Sequence, residues 1–284
     1  MALYRLENAD GIVSPILVAA LDGWVDAGAA STTAAAELLA GDGDVLATFD
    51  GDVLFDYRAR RPTLEIVSGR TAELTWPELV VRRVRVGERD VLVLTGAEPD
   101  YRWHGFTDAA VELAKRFGVA EWISLGAIPA AVPHTRRVNV IGTASGPGLL
   151  RGGVAPGPDG VLRVPAAAIS VLDHAVSRAG IPTVGYFAQI PHYLTGPYPA
   201  GAVELVRLVG LHLDHEFPLG SLREQARQLE ERLDAATSAD ENTKAYVERL
   251  ESMVDEARLP FGDELIADIE RFLRDQGGEG GQRN

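Results

Sequence analysis

Short apolar runs recur along the first three-quarters of the chain, and polar, glycine-rich loops interrupt them. Pro15-Ile16-Leu17-Val18-Ala19-Ala20-Leu21 is the first strongly apolar run, and it reads as a strand buried on both faces. It stops at Asp22-Gly23-Trp24-Val25-Asp26-Ala27-Gly28, and an Ala-rich run over 29–39 has helical character. Strand, polar turn and helix make the opening of an α/β unit. Further strands are expected over 45–49, 64–67, 79–86, 90–95, 121–125, 138–143 and 183–189, with helices over 107–117 and 166–179. Thr107 is expected as an N-cap, and Gly118 and Gly180 as the glycines that end the two helices. Only Gly87-Glu88-Arg89 separates two of the strands, which predicts an antiparallel hairpin. Strands alternating with helices imply a three-layer α/β domain over residues 1–218, its sheet mainly parallel and covered by helices on both faces.

From Ser221 the pattern changes to Glu, Arg, Leu and Ala at helical spacing. Helices are expected over 221–236 and 241–257, with Leu222, Leu229 and Leu233 on one stripe, and Ser221 with Glu224 matches a capping box. Residues 259–262 break the pattern. A last amphipathic helix over 263–274 is expected to bury Leu265, Ile266 and Ile269. The expected organisation is therefore 1–218, a helical extension over 219–276, and a disordered tail over 277–284. No internal repeat is evident.

The chain has 284 residues, 46% hydrophobic and 24% charged, which suits a water-soluble globular protein. Its net charge of −14 argues against nucleic acid and against an anionic membrane surface, since both demand a basic footprint. The absence of cysteine excludes disulfides, thiolate catalysis and Cys-ligated metals. No run approaches a membrane span, and the first residues lack the apolar core of a signal peptide, so a cytoplasmic location is expected.

Ligands of open α/β sheets sit at the carboxyl ends of strands, so the chemistry is sought in the loops there. Asp22, Gly23, Trp24 and Asp26 share the first loop. The two carboxylates suit a cation or a ribose hydroxyl; alternatively Asp22 caps the following helix while Trp24 packs on the core. Glu98 and Asp100, with Trp103 close behind, form a second loop that would bring carboxylates together for acid–base work, or would simply be a solvated strand end with Trp103 over the core. Thr135 and Arg136 follow the Gly126 turn and suit a phosphate or carboxylate, or a salt bridge to an acidic loop. His192 and Tyr198 belong to a fourth loop, whose aromatic rings suit stacking or whose prolines merely hold a rigid turn. No phosphate-binding P-loop, dinucleotide fingerprint, nucleophile elbow or H-E-x-x-H motif is present.

Leu21-Asp22-Gly23-Trp24-Val25-Asp26-Ala27-Gly28 resembles the PAC2 family, named for a eukaryotic proteasome assembly chaperone. Leu94-Thr95-Gly96-Ala97-Glu98-Pro99-Asp100, Leu125-Gly126-Ala127-Ile128-Pro129 with Pro133-His134-Thr135-Arg136, and Thr195-Gly196-Pro197-Tyr198-Pro199 fit the same family in the same order. The likeness spans residues 3–218, and the added helices look like the actinobacterial branch. The resemblance implies an α/β fold of the purine nucleoside phosphorylase type and a homo-oligomer such as a trimer. It also implies a non-catalytic assembly chaperone or scaffold, without cofactor or metal, whose partners are proteasome-related. The alternative is a small-molecule binder or hydrolase using the strand-end cleft on a nucleoside- or amide-like substrate.

Overall fold

The computed structural model describes residues 3–7, 11–40, 43–157 and 160–257. The strands are β1 (Tyr4–Leu6), β2 (Ile16–Asp22), β3 (Asp44–Phe49), β4 (Thr63–Val67), β5 (Arg70–Thr75), β6 (Leu79–Val86), β7 (Arg89–Ala97), β8 (Glu121–Ala130), β9 (Val140–Ala144) and β10 (Thr183–Pro191). The helices are α1 (Ala30–Leu39), the short α2 (Gly51–Leu54), α3 (Trp103–Arg116), α4 (Ala168–Arg178), α5 (Pro199–Leu213), α6 (Gly220–Ser238) and α7 (Glu241–Ala257). The helix expected over 263–274 and the tail over 277–284 lie outside the described residues.

Eight strands form one sheet in the order β1-β3-β6-β7-β2-β8-β10-β9. Its centre is parallel: β7, β2, β8 and β10 run side by side in one direction. Both flanks are antiparallel, through β1, β3 and β6 on one side and β9 on the other. The turn between β6 and β7 shortens to Gly87 and Glu88. β2 shows why the centre is buried on both faces. Ile16, Val18 and Ala20 join the core beneath α1 and α5, while Leu17, Ala19 and Leu21 join the core beneath α3 and α4.

Both expected glycine stops are present. Gly118 has φ +64°, its N–H bonds to Lys115 O, and the N–H of Val119 bonds to Ala114 O. Gly180, at φ +85°, does the same with Ser177 O while Ile181 bonds to Val176 O. Each is a Schellman closure. Thr107 is not a cap. α3 begins four residues earlier, and the Thr107 hydroxyl donates to Trp103 O at 2.7 Å inside the helix. Nor does Ser221 open its helix, because α6 begins at Gly220 and Glu224 instead accepts from Arg227 and Gln228. α5 is an addition to the expected elements. It buries Leu205, Val206, Leu208, Val209 and Leu213, and a helix apolar nearly all round shows no amphipathic period to read.

Residues 1–233 form one compact unit and a second begins at Asp234. Leu222 is buried in the core beneath α5, with Leu229 packed against it. In the second unit Asp240 caps α7, accepting from Thr243 N–H at 2.8 Å and its hydroxyl at 2.5 Å. Among the described residues no helix is long and apolar enough to cross a membrane.

Candidate functional site

Because β7, β2, β8 and β10 are parallel, their carboxyl ends share one edge of the sheet. Asp22, Glu98 and His192 all stand at it. Gly126 does not turn the chain there. It lies inside β8 opposite Phe187, and a Cβ at this position would collide with the Phe187 ring.

Glu98 holds the first two loops together. Its Oε2 accepts the main-chain N–H of Trp24 at 3.0 Å, and its Oε1 accepts that of Ala168 at 2.6 Å. Ala168 opens α4, which has no cap of its own, so Glu98 supplies a remote anionic cap where the helix dipole favours one. Gly23 is required here because a Cβ would collide with the Glu98 carboxylate. The chain after β7 also returns to β2 through Glu98 N–H and Asp22 O at 2.9 Å.

Asp26 is the cap expected of Asp22. Its Oδ1 accepts from Ser31 N–H at 2.8 Å and Ser31 Oγ at 2.7 Å, and its Oδ2 from Thr32 Oγ1 at 2.5 Å. Asp22 is exposed and reaches Arg60 Nη1 at 3.4 Å, while Arg60 Nη2 donates to Asp22 O. Arg60 Nε also stands 3.9 Å from Asp100 Oδ1. Asp100 accepts the main-chain N–H of Asp56 at 2.8 Å. Arg60 was not among the residues the sequence singles out. Its signal was the basic run Arg58-Ala59-Arg60-Arg61, in an acidic chain, ahead of a strand. These carboxylates thus hold helix ends, loop backbone and a guanidinium. Among the described residues no group of three acidic or His side chains is placed to hold a metal.

Trp103 is half-buried against the core beneath α3, its indole N–H donating to Pro99 O at 2.6 Å. Trp24 does not pack on the core; it is 70% exposed. Trp76, at 49%, meets the ring of Tyr57 at 4.8 Å, and the hydroxyl of the exposed Tyr101 donates to Asp56 at 3.2 Å. That bond, more than anything else, raises the Tyr101 pKa. Exposed aromatic rings therefore lie on the loops that carry Asp22 and Asp100, Trp24 on the first and Tyr101 on the second.

Thr135, Arg136 and Tyr198 form a separate group. With Arg137, Glu204 and residues of α6 they line a cavity of about 340 Å³ that includes none of the first group. Arg137 and Arg207 both pair with Glu204 there, at 3.0 and 2.7 Å. Tyr198 is buried, and burial pushes its pKa up to about 12. His192 is exposed and closes the β8–β10 ladder: its main-chain N–H and its Nδ1 lie 3.1 and 2.9 Å from Ala130 O.

The PAC2 family model matches residues 20–237. A Corynebacterium glutamicum protein is 30% identical over 92% of this chain and 100% of its own, with a TM-score of 0.84. A Mycobacterium tuberculosis proteasome-assembly chaperone homologue and a PAC2 family protein from Streptomyces avermitilis are each 34% identical. Each covers 82% of this chain and 99% of its own, with a TM-score of 0.74. A comparison with curated proteins finds no match. With the model spanning most of its length and two relatives above 30% identity over four-fifths of it, this chain belongs to the PAC2 family.

Proposed function

We propose that the chain is a non-catalytic, self-associating protein that acts in the cytoplasm as a chaperone-like factor for proteasome components. The partner class rests on the Mycobacterium relative, a proteasome-assembly chaperone homologue. The observation that carries the non-catalytic reading is the state of the strand-end edge. Glu98 and Asp26 spend their oxygens on main-chain N–H groups and hydroxyls, while Trp24 projects into solvent. Catalytic carboxylates need open lone pairs facing a substrate. Exposed aromatic side chains beside paired charges suit a protein partner, because aromatics anchor interfaces.

The test is binding of the full chain to purified proteasome α- and β-type subunits from its own source, measured by calorimetry. Saturable binding that Trp24→Ala weakens at least tenfold is expected. No binding to either subunit, alone or part-assembled, would overturn the partner class.

The 340 Å³ cavity favours a second reading, since its size reaches the lower end of small-ligand sites. A ligand there would be a small anion held by Thr135 and Arg136. A thermal shift with a carboxylate or phosphate metabolite that Arg136→Ala abolishes would support it, and a flat response across such a panel would remove it.

A further inference from the structure

The carboxylate of Asp173 faces the sheet from α4, although the residue as a whole is only partly enclosed. It accepts the hydroxyl of Ser124 on β8, which in turn accepts the indole N–H of Trp122 at 2.9 Å. Its other oxygen lies against β10 at Gly185, where a Cβ would stand 3.3 Å from it and would collide with Thr143 Oγ1. These neighbours are all neutral. Among the described residues no cation on α3, β2, β8 or β10, the elements packed on α4, pairs with the carboxylate, and His174 and Arg178 of its own helix are exposed. Burial therefore raises its pKa to about 7. The start of α4 has a separate tie. The helix lacks a cap of its own, and its Ala168 N–H is held at 2.6 Å by Glu98, whose other oxygen holds the Trp24 N–H at 3.0 Å. Asp173 lies five residues further on, about 7.5 Å along the helix axis.

We propose that Asp173 is a pH switch for the strand-end edge: ionisation of its carboxylate draws α4 outward, Ala168 leaves Glu98, and the loop that carries Trp24 is released. An ionised carboxylate among neutral groups is short of solvation, and Asp173 is near enough to water for a small outward roll of α4 to supply it. That roll is opposed by the apolar contacts of Ile169, Leu172 and Val176, which it weakens, and by the Glu98 bond, which it breaks. One side chain, Glu98, holds both the helix start and the Trp24 backbone, so the movement reaches Trp24 with no change in the sheet. The sign follows from burial: the protonated form keeps the edge closed, and the ionised form opens it. The switch goes beyond the chaperone reading and rests on it only for a consequence, that a partner seated on Trp24 is held more tightly when Asp173 is protonated.

The chain has four tryptophans, which allows a test on the full chain alone. Fluorotryptophan is incorporated, each fluorine resonance is assigned by a Trp→Phe variant, and spectra are followed from about pH 5.5 to about 8.5, across the range where Asp173 titrates. Trp122, beside the switch, should titrate with a midpoint near 7, and Trp24 should titrate with the same midpoint. Asp173→Asn should leave both flat. Ser124→Ala, which decides the matter should Asp173→Asn fail to fold, removes a bond to the ionised form and should move both midpoints upward together. Glu98→Gln has one acceptor oxygen where two are needed, so it should cut the Trp24 change at least twofold and leave Trp122 titrating. A flat Trp122 or Trp24 in the native chain would overturn the proposal. So would a Trp24 titration that survives Asp173→Asn, midpoints that Ser124→Ala drives apart, or a Trp24 change that Glu98→Gln leaves whole. Failure of the functional reading is distinguishable: the two resonances would then titrate together in a chain that binds no proteasome subunit.

Discussion

Glu98 Oε2 stands 3.0 Å from the main-chain nitrogen of Trp24, so the carboxylate at the end of β7 fixes the loop at the end of β2. Its other oxygen caps α4. Glu98→Ala should therefore lower stability by about 2–3 kcal/mol, the scale of two hydrogen bonds to a charged acceptor in a partly buried place. Glu98→Gln should recover part of that, because the amide has one acceptor oxygen. Urea titration of the three proteins checks the order; an Ala variant as stable as the native chain would show that the carboxylate holds nothing.

The two aspartates of the first loop should part company. Asp26→Ala removes the acceptor for Ser31 and Thr32 at the start of α1 and should cost about 1–2 kcal/mol. Asp22→Ala removes a long, exposed contact to Arg60 and should cost less than about 0.5 kcal/mol. Thermal melts compared at one pH decide between this order and the reverse.

Much of this was legible in the sequence. β2 announces itself by an unbroken apolar run, and α6 by Leu222, Leu229 and Leu233 at helical spacing among charges. The strand-end edge followed from the alternation of strands and helices. What escaped had a physical cause in each case. β5 is half polar and exposed on both faces, so burial leaves no period in Arg70–Thr75. α5 is buried nearly all round. The exchange of roles between Asp22 and Asp26 turns on left-handed backbone at Gly28 and Ala29, which carries the chain so that the second aspartate, not the first, faces the helix. Arg60 escaped because it is 38 residues from the aspartate it meets.

Asp173 on α4 carries a pH dependence. The residue is partly exposed, but its carboxyl group is enclosed near Gly185 and takes the hydroxyl of Ser124, itself held by Trp122 Nε1 at 2.9 Å. Burial raises its pKa to about 7, and the bonds from Ser124 and Trp122 only partly offset that. The folded state then holds a proton that the unfolded chain has released. Stability contributed by this site is present below about pH 4 and is lost as pH rises toward 7, by up to about 1.4 kcal/mol per pH unit. Urea midpoints should fall between pH 5 and 7.5 in the native chain and fall less in Asp173→Asn. Equal slopes in the two proteins would place the pH dependence elsewhere.

Tyr186 anchors a buried polar chain. Its hydroxyl oxygen accepts the main-chain N–H of Arg151 at 2.8 Å, which leaves its proton for His212 Nε2 at 2.7 Å. Nδ1 of the same imidazole stands 2.9 Å from Glu121 Oε1. The chain joins β10, α5 and the start of β8 in the core beneath α5, and the imidazole is wholly enclosed. Tyr186→Phe keeps the ring and its packing but strands the Arg151 N–H and the His212 Nε2 without their partner. Such a change costs the desolvation of the groups left behind, so a loss of about 2–4 kcal/mol is expected. His212→Phe should cost at least as much, since it leaves the Tyr186 hydroxyl without its partner and removes the imidazole beside Glu121. The double variant should lose less than the sum, because each single change already breaks the same chain of bonds. A strictly additive double-mutant cycle in urea unfolding would mean that Tyr186 and His212 act independently despite their 2.7 Å contact.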